Sequence, residues 1–153
     1  MNTPVLSIYR RKLPHWRMDG SAYFITWRLA PRQSPLDTQE KTLVANAIKQ
    51  FAGERYELVA YVVMDDHVHV LAVPEQGFSL QEIVHGWKSF TAHRLQKDLG
   101  RTRRVWQREY FDRIIRDERE VVEKIGYILD NPLKRWPELE EYAWVEPSFP
   151  VAR

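Results

Sequence analysis

The chain has 153 residues, 44% of them hydrophobic, and no cysteine, so it has the size of one domain and offers a metal ion nitrogen and oxygen ligands alone. No apolar run approaches the roughly 20 residues that span a bilayer, so we expect no membrane contact and a cytoplasmic location. The net charge is +2, but residues 1–32 carry six Lys or Arg against one acid and residues 88–116 carry nine against three. These segments form either a surface for a polyanion such as nucleic acid or separate solvated faces that do not cluster.

The first half of the chain predicts three strands and one helix. Residues 21–29 are rich in aromatic and β-branched side chains and predict a strand. A capping-box pattern opens a stripe of apolar residues at helical spacing over 37–53, which predicts a helix. The apolar runs 56–64 and 67–73 predict two strands, and the two residues between them suit a tight hairpin.

The second half predicts two helices around a fourth strand. A second capping box opens a helical stripe over 79–100, and residues 105–116 predict a strand with an irregular start. A third helix begins with the cap signal at Asp117, and we expect Pro132 to end it. The tail 136–153, with its prolines and acids, predicts extended packing or a mobile terminus.

The order of these elements predicts an α+β fold. Its first six elements match the ferredoxin-like βαββαβ arrangement, an antiparallel sheet with helices on one face and the other face left open. The last helix is an addition to that arrangement. We expect residues 1–153 to form a single domain, with a basic N-terminal segment over 1–20.

Two histidines occupy alternate positions at the start of the third predicted strand, in the stretch DDHVHVL from Asp65 to Leu71. Side chains two apart on a strand point to the same face, so His67 and His69 stand side by side while the valines between and after them turn to the core. Two imidazoles and one further oxygen ligand would leave positions on a metal ion open for phosphate. The alternative is that the pair only fills a half-exposed face.

The third helix carries a tyrosine outside its buried stripe. Successive residues of a helix are rotated by about 100° around its axis. When Ile125 is placed at 0°, the other apolar residues of this helix lie near the same angle, whereas Tyr127 lies at about 200° and Asn131 at about 240°. Tyr127 is either a surface residue or a nucleophile that forms a covalent intermediate. Tyr110 is the rival nucleophile, but on the fourth strand it has no obvious polar partner.

Five segments together resemble one family, the REP-associated tyrosine transposases, a branch of the single-tyrosine HUH transposases that act on single-stranded DNA. The segments are YRRKLPHW with GSAYFITWRL, YVVMDDHVHVLAVP, WKSFTAHRL, VWQREYFDRIIRDERE and IGYILDNPLK, and they cover residues 9–135. Asp65 and Asp66 depart from the Pro-Asn-like pair that often precedes the first histidine, and we assign neither as a ligand.

The resemblance implies a site and a reaction. His67 and His69 would be paired metal ligands, Asn131 would complete the site for Mg²⁺ or Mn²⁺, and Tyr127 would be the catalytic nucleophile. Single-stranded DNA beside a palindromic hairpin would be cleaved through a 5′-phosphotyrosine and later rejoined, at the nucleoid of a bacterium, by a monomer or a homodimer.

Basic residues of the two basic segments are the candidates for DNA backbone contacts, which position DNA without reading its sequence. They are Arg10, Arg11, Lys12, Lys88, Arg94, Arg103, Arg104, Arg108, Arg113 and Arg116.

Two other functions share this fold class. One is a non-catalytic nucleic-acid-binding module, which would need exposed aromatic residues where the histidines stand. The other is a metal-dependent hydrolytic nuclease, in which water attacks and no protein adduct forms. A covalent adduct separates transposition chemistry from both.

Overall fold

The computed structural model describes residues 21–147, and its helices and strands follow the predicted order with one short strand added. The strands are β1 (Ala22–Arg28), β2 (Tyr56–Val63), β3 (His67–Pro74), β4 (Phe111–Ile115) and β5 (Val145–Glu146). The helices are α1 (Thr38–Gln50), α2 (Leu80–Lys97) and α3 (Glu118–Arg135). Within residues 21–147, no helix is long and apolar enough to cross a membrane.

The five strands form one sheet in the order β4-β1-β3-β2-β5, and all their pairings are antiparallel. β2 and β3 form the predicted hairpin, in which the Met64 N–H donates to the His67 carbonyl at 2.8 Å. β3, the strand that carries both histidines, therefore lies at the centre of the sheet, between β1 and β2.

Helices cover both faces of this sheet. α1 and α2 pack on one face with a core that includes Trp27, Val68 and Val70, as the alternation along β3 predicts. α3 buries its apolar stripe on the other face, against residues of β2 and β3 such as Leu71. That face is thus not left fully open as expected, because an amphipathic helix must bury its stripe, but the outer end of β4 stays exposed.

The predicted capping signals begin all three helices. α1 has the complete capping box of Asp37 and Glu40, and α2 has that of Ser79 and Glu82. At α3, the Asp117 side chain accepts from the backbone of N3. The N3 carboxylate, that of Glu120, instead accepts a hydrogen bond from β4, so this end of α3 is tied to the sheet edge.

The fourth strand is shorter than predicted. Residues 105–110 form a loop, with a single β-bridge between Trp106 and Leu29. The carbonyl groups of this loop are bonded by side chains from elsewhere, since Lys88 Nζ donates to Gln107 and Arg108 at 2.8 and 2.9 Å. At these two carbonyls a side-chain donor therefore takes the place of a neighbouring strand.

The prediction that Pro132 ends the third helix is wrong, because α3 continues to Arg135. Proline removes one hydrogen bond of a helix, and here it does so in the last turn, where the Trp136 N–H still donates to the Pro132 carbonyl at 2.7 Å. The tail packs rather than moves freely as far as residue 147, with Tyr142 and Val145 buried in the α3 side of the core.

Candidate functional site

His67 and His69 stand side by side on the face of the sheet that α3 covers. Their ring centroids are 4.7 Å apart. β1 pairs with β3 so that Arg28 lies opposite His67 and Thr26 lies opposite His69, and directly paired residues share one face. Two imidazoles, a hydroxyl and a guanidinium are thereby brought to one patch.

The environment of His69 leaves one ring nitrogen free for a ligand. Its Nδ1 lies 2.7 Å from Thr26 Oγ1, and the Phe24 ring stacks on it with centroids 5.1 Å apart. Burial is the main cause that lowers the pKa of His69 to about 3, and positive neighbours add to the shift, so the ring is neutral. The buried Nε2 has no hydrogen-bond partner among residues 21–147, and in the tautomer whose Nδ1 proton is donated to Thr26 it carries the lone pair that a metal ion would take.

Asp66 orients His67 in the same way. The two side chains are joined by a hydrogen bond of 2.7 Å between Nδ1 and Oδ1. Burial alone would raise the pKa of Asp66, but the bond from His67 outweighs burial and leaves that pKa below its usual range. The charged carboxylate therefore holds the proton of His67 on Nδ1 and leaves Nε2 as the ligand atom.

Tyr127 projects from α3 beside His69. The two ring centroids are 5.3 Å apart, and the tyrosine is 42% exposed. Lys124 Nζ lies 5.9 Å and Lys134 Nζ lies 5.0 Å from the centre of the tyrosine ring. The phenol thus combines access from solvent with contact to the histidine patch and two positive neighbours.

Asn131 lies one helical turn beyond Tyr127 and is nearly buried. Its Nδ2 donates to the Tyr127 carbonyl at 2.7 Å, and its Oδ1 accepts no hydrogen bond from residues 21–147. One turn further on, Arg135 Nη2 donates to Asp65 Oδ2 at 2.7 Å. Tyr127 touches His69 and Arg135 touches Asp65, so α3 runs antiparallel to β3 and Asn131 lies between these two contacts.

These residues fit a divalent metal ion. The buried Nε2 of His69, the free Nε2 of His67 and the amide oxygen of Asn131 are a nitrogen and oxygen set that suits such an ion. Among residues 21–147 there is no cluster of three or more His, Asp or Glu side chains placed to hold a metal. The ion would therefore need the amide and substrate oxygens besides the two imidazoles.

The predicted DNA-contact residues fall into different places. Arg103, Arg104 and Arg108 are exposed on the loop before β4, and Arg113 and Arg116 are exposed on and after β4. Arg113 Nε donates to Glu120 at 2.5 Å, which offsets its charge. Arg10, Arg11 and Lys12 lie outside the described residues, so contacts from the N-terminal segment stay a prediction.

The two predicted contacts on α2 are engaged within the protein. Lys88 anchors the loop before β4 through the two carbonyls already described, and burial is the main cause that lowers its pKa. Arg94 pairs with Asp98 on the same helix. Both lie in the helical layer on the sheet face opposite the histidines, and their roles toward DNA stay predictions.

Sequence reasoning did not assign five residues of this patch. Thr26 and Arg28 belong to β1, where the register with β3 is a tertiary property without a local signal. Lys124 and Lys134 had a signal, because with Tyr127 and Asn131 they repeat at intervals of three, four and three on one side of the helix. Asp66 was noted as a departure from a pattern and given no role.

Comparison with known proteins gives consistent matches. The model of the family described as "Transposase IS200 like" matches residues 18–131. A REP-associated tyrosine transposase of Escherichia coli strain K12 is 25% identical over 84% of this chain and 74% of its own length. A Haemophilus influenzae protein assigned by name to the same class is 28% identical over 84% of this chain and 77% of its own.

A solved structure has the same fold. It is described as a REP-associated tyrosine transposase bound to a REP hairpin, and it superposes with a TM-score of 0.67 at 24% identity, over 82% of this chain and 76% of that one. The likeness at this identity concerns the path of the backbone.

Proposed function

This chain belongs to the IS200-like transposase family, and we propose that it is a metal-dependent transposase that cleaves and rejoins single-stranded DNA next to a hairpin through a 5′-phosphotyrosine on Tyr127. The family and the named relatives support DNA strand transfer as the reaction. The hairpin is proposed because a relative of the same fold is described as bound to one.

The observation that carries the proposal is the position of Tyr127. A nucleophile must reach substrate from solvent and lie next to the groups that polarise the scissile phosphate. Tyr127 meets both conditions, because it is substantially exposed and its ring is in contact with that of His69. Tyr110 meets neither, since it lies on the loop before β4 near Lys88 and burial raises its pKa.

The metal would be held by the two histidines and Asn131. Its contribution when bound is to polarise the scissile phosphate and to offset charge that develops on it. Asp66 would keep the proton of His67 on Nδ1 and Thr26 could accept that of His69, which would leave both Nε2 atoms available as ligands. The stacked ring of Phe24 holds His69 in place on its other side.

Each cleavage exchanges one phosphodiester bond for another. The Tyr127 oxygen forms a bond to phosphorus, the bond from phosphorus to the 3′ oxygen breaks, and the phenolic proton is balanced by the proton taken up by the 3′ hydroxyl. A 3′ hydroxyl of another strand reverses the step. No water is consumed, so the energy of the phosphoester remains available for joining.

Lys124 and Lys134 act on the charged forms of the tyrosine. Both ammonium groups lie beside its ring, where a positive charge would attract the phosphate that becomes attached to the tyrosine. Asn131 fixes the backbone carbonyl of Tyr127 through its amide, which links the metal site to the nucleophile within one turn of helix.

The test is adduct formation with labelled single-stranded DNA that contains a hairpin, in the presence of Mn²⁺ or Mg²⁺, followed by denaturing electrophoresis. We expect a covalent protein–DNA band that Tyr127→Phe abolishes while DNA binding persists. Tyr110→Phe is the matched control and should retain the band, and His67→Ala or His69→Ala should lose metal-dependent cleavage.

Other outcomes contradict the proposal. Cleavage without an adduct, retained in Tyr127→Phe, would assign a hydrolytic nuclease in which water attacks. Tight binding of hairpin DNA with no cleavage under any metal would assign a recognition module. An adduct that moves to Tyr110 would leave the reaction in place and overturn the assignment of the nucleophile.

A further inference from the structure

Phe111 is a large apolar side chain exposed on the same sheet face as the histidines. It is 68% exposed and belongs to neither core cluster. It opens β4 and pairs with Thr26, which in turn pairs with His69. The three side chains form one row across the sheet, so the backbone of Phe111 lies two strand spacings, about 10 Å, from that of His69.

The rest of β4 shows that Phe111 lies outside the core. Ile115 lies on the same face as Phe111 and is fully buried under α3. The helix crosses the sheet near that end of β4, whereas the end with Phe111 lies beyond it. Single exposed apolar residues are common on protein surfaces, so the charge around Phe111 decides what its ring can bind.

The segments next to Phe111 carry positive side chains. Arg28 lies on β1 two residues beyond Thr26, opposite His67, and its carbonyl accepts from the Gln107 N–H at 2.9 Å. Arg104 and Arg108 are exposed on the loop that leads directly into β4. An exposed aromatic ring beside cations is the arrangement with which proteins hold unpaired nucleotides, one binding the base and the others the backbone.

The loop that displays these arginines is fixed before any ligand arrives. Lys88 bonds two of its carbonyls, and Gln33 Nε2 donates to the carbonyls of Thr102 and Arg104 at 2.8 Å each. Trp106 Nε1 donates to Thr91 Oγ1 at 2.9 Å. The side chains that anchor the loop come from other elements, so its charges are held at the edge of the sheet.

We propose that Phe111 is the stacking platform for an unpaired base next to the scissile phosphate. This inference rests on the proposed function for the phosphate position and adds the residue that holds the neighbouring nucleotide. The distance from His69 corresponds to a nucleotide close to the reacting one. Stacking on an aromatic ring accepts every base, so Phe111 positions the strand without reading its sequence.

The test measures binding of the full chain, in a Tyr127→Phe background that prevents cleavage, to fluorescent DNA hairpins with and without a single-stranded adenine extension. We expect Phe111→Ala to weaken binding of the extended hairpin about 5- to 150-fold, the loss that corresponds to one base–aromatic stack. Binding of the blunt hairpin should not change. Phe111→Tyr keeps a ring and should restore most of the affinity.

An abasic site placed at each position of the extension in turn identifies the stacked base. At one position the abasic DNA should bind the parent protein as weakly as intact DNA binds Phe111→Ala, and the two changes together should cost no more than either alone. Phe90→Ala is the matched control, because Phe90 is also exposed but lines the groove between α1 and α2. It should bind like the parent.

Two results overturn the proposal. Equal weakening of blunt and extended hairpins by Phe111→Ala would assign a general contact, and unchanged binding of both would assign Phe111 to another partner such as a second copy of the chain. Failure of the proposed function is separate. If the wild-type protein forms no adduct but the abasic test succeeds, base stacking on Phe111 is supported and the proposed reaction of Tyr127 is contradicted.

Discussion

The ion pair between Asp65 and Arg135 should stabilise the contact between α3, which carries Tyr127, and the β2–β3 hairpin, which carries the histidines. It joins the last turn of α3 to the turn between β2 and β3, with 2.7 Å between Nη2 and Oδ2. The carboxylate is 13% exposed and the guanidinium is 47% exposed. The perturbation is Arg135→Gln, with Asp65→Asn and the double variant to complete a cycle.

The exposure of the two partners determines how much free energy of unfolding the pair contributes. Removing one partner of a fully buried pair costs about 3–5 kcal/mol, and a fully exposed pair contributes about 0.2–1 kcal/mol. Here the carboxylate is desolvated, and its Oδ1 has no hydrogen-bond partner among the described residues, but water still reaches the guanidinium. We therefore expect Arg135→Gln to lower the free energy of unfolding by about 1–2 kcal/mol, or Tm by about 3–8 °C.

Urea and thermal unfolding at neutral pH measure this loss, and a second pair in the chain provides a matched control. Arg94 and Asp98 pair on α2 with both side chains well exposed, so Arg94→Gln should cost less than about 0.5 kcal/mol. The adduct assay should also show a slower reaction for Arg135→Gln at temperatures where it is folded. Equal losses for the two arginines, or a coupling of zero in the cycle, would refute the reasoning.

Two further predictions concern other ion pairs. Arg101→Met should lower the free energy of unfolding by about 3 kcal/mol in urea at neutral pH, because its partner Glu40 is buried with it and accepts two hydrogen bonds from it, one of them 2.8 Å long. Burial raises the pKa of Glu40, but the hydrogen bonds from Arg101 and from the Asp37 backbone outweigh burial and hold that pKa below 4.5. The stabilisation from this pair is therefore complete above that pH and is lost as the pH falls through the folded-state pKa. The difference in free energy of unfolding between wild type and variant should narrow over that range. Asp66→Asn should weaken Mn²⁺ binding about 10- to 100-fold by calorimetry, since it removes the carboxylate that orients His67, and unchanged affinity would mean that His67 does not bind the ion through Nε2.

The alternation of side chains accounts for what the sequence predicted about the histidine strand. Val68 and Val70 are core residues, so His67 and His69 must face the other side, and a two-residue gap between apolar runs admits a hairpin and little else. Local capping residues likewise predicted the start of each helix. The resemblance to transposases is confirmed by the family match, while the roles of the site residues stay predictions.

Features that depend on partners far apart in the chain were not predictable in this way. The fourth strand begins late because Lys88 and Gln33 bind the carbonyls of the preceding loop. β5 forms because its residues add to the edge of β2, and the tail before it carries no strong strand pattern. The contact of Thr26 was not predictable for the same reason. In the sequence it is an ordinary strand residue, and only the register of β1 with β3 places its hydroxyl next to His69.

Pro132 shows how such a long-range contact can overrule a strong local signal. A proline in a helix costs a hydrogen bond and disfavours helical geometry in the residue before it, which is Asn131. Had the helix ended there, Arg135 would not reach Asp65. The extra turn places Tyr127, Asn131 and Arg135 at intervals of four along one side of α3, while β3 runs beneath it in the opposite direction. Asn131 therefore lies on the side of α3 that faces the hairpin, between the contact of Tyr127 with His69 and that of Arg135 with Asp65.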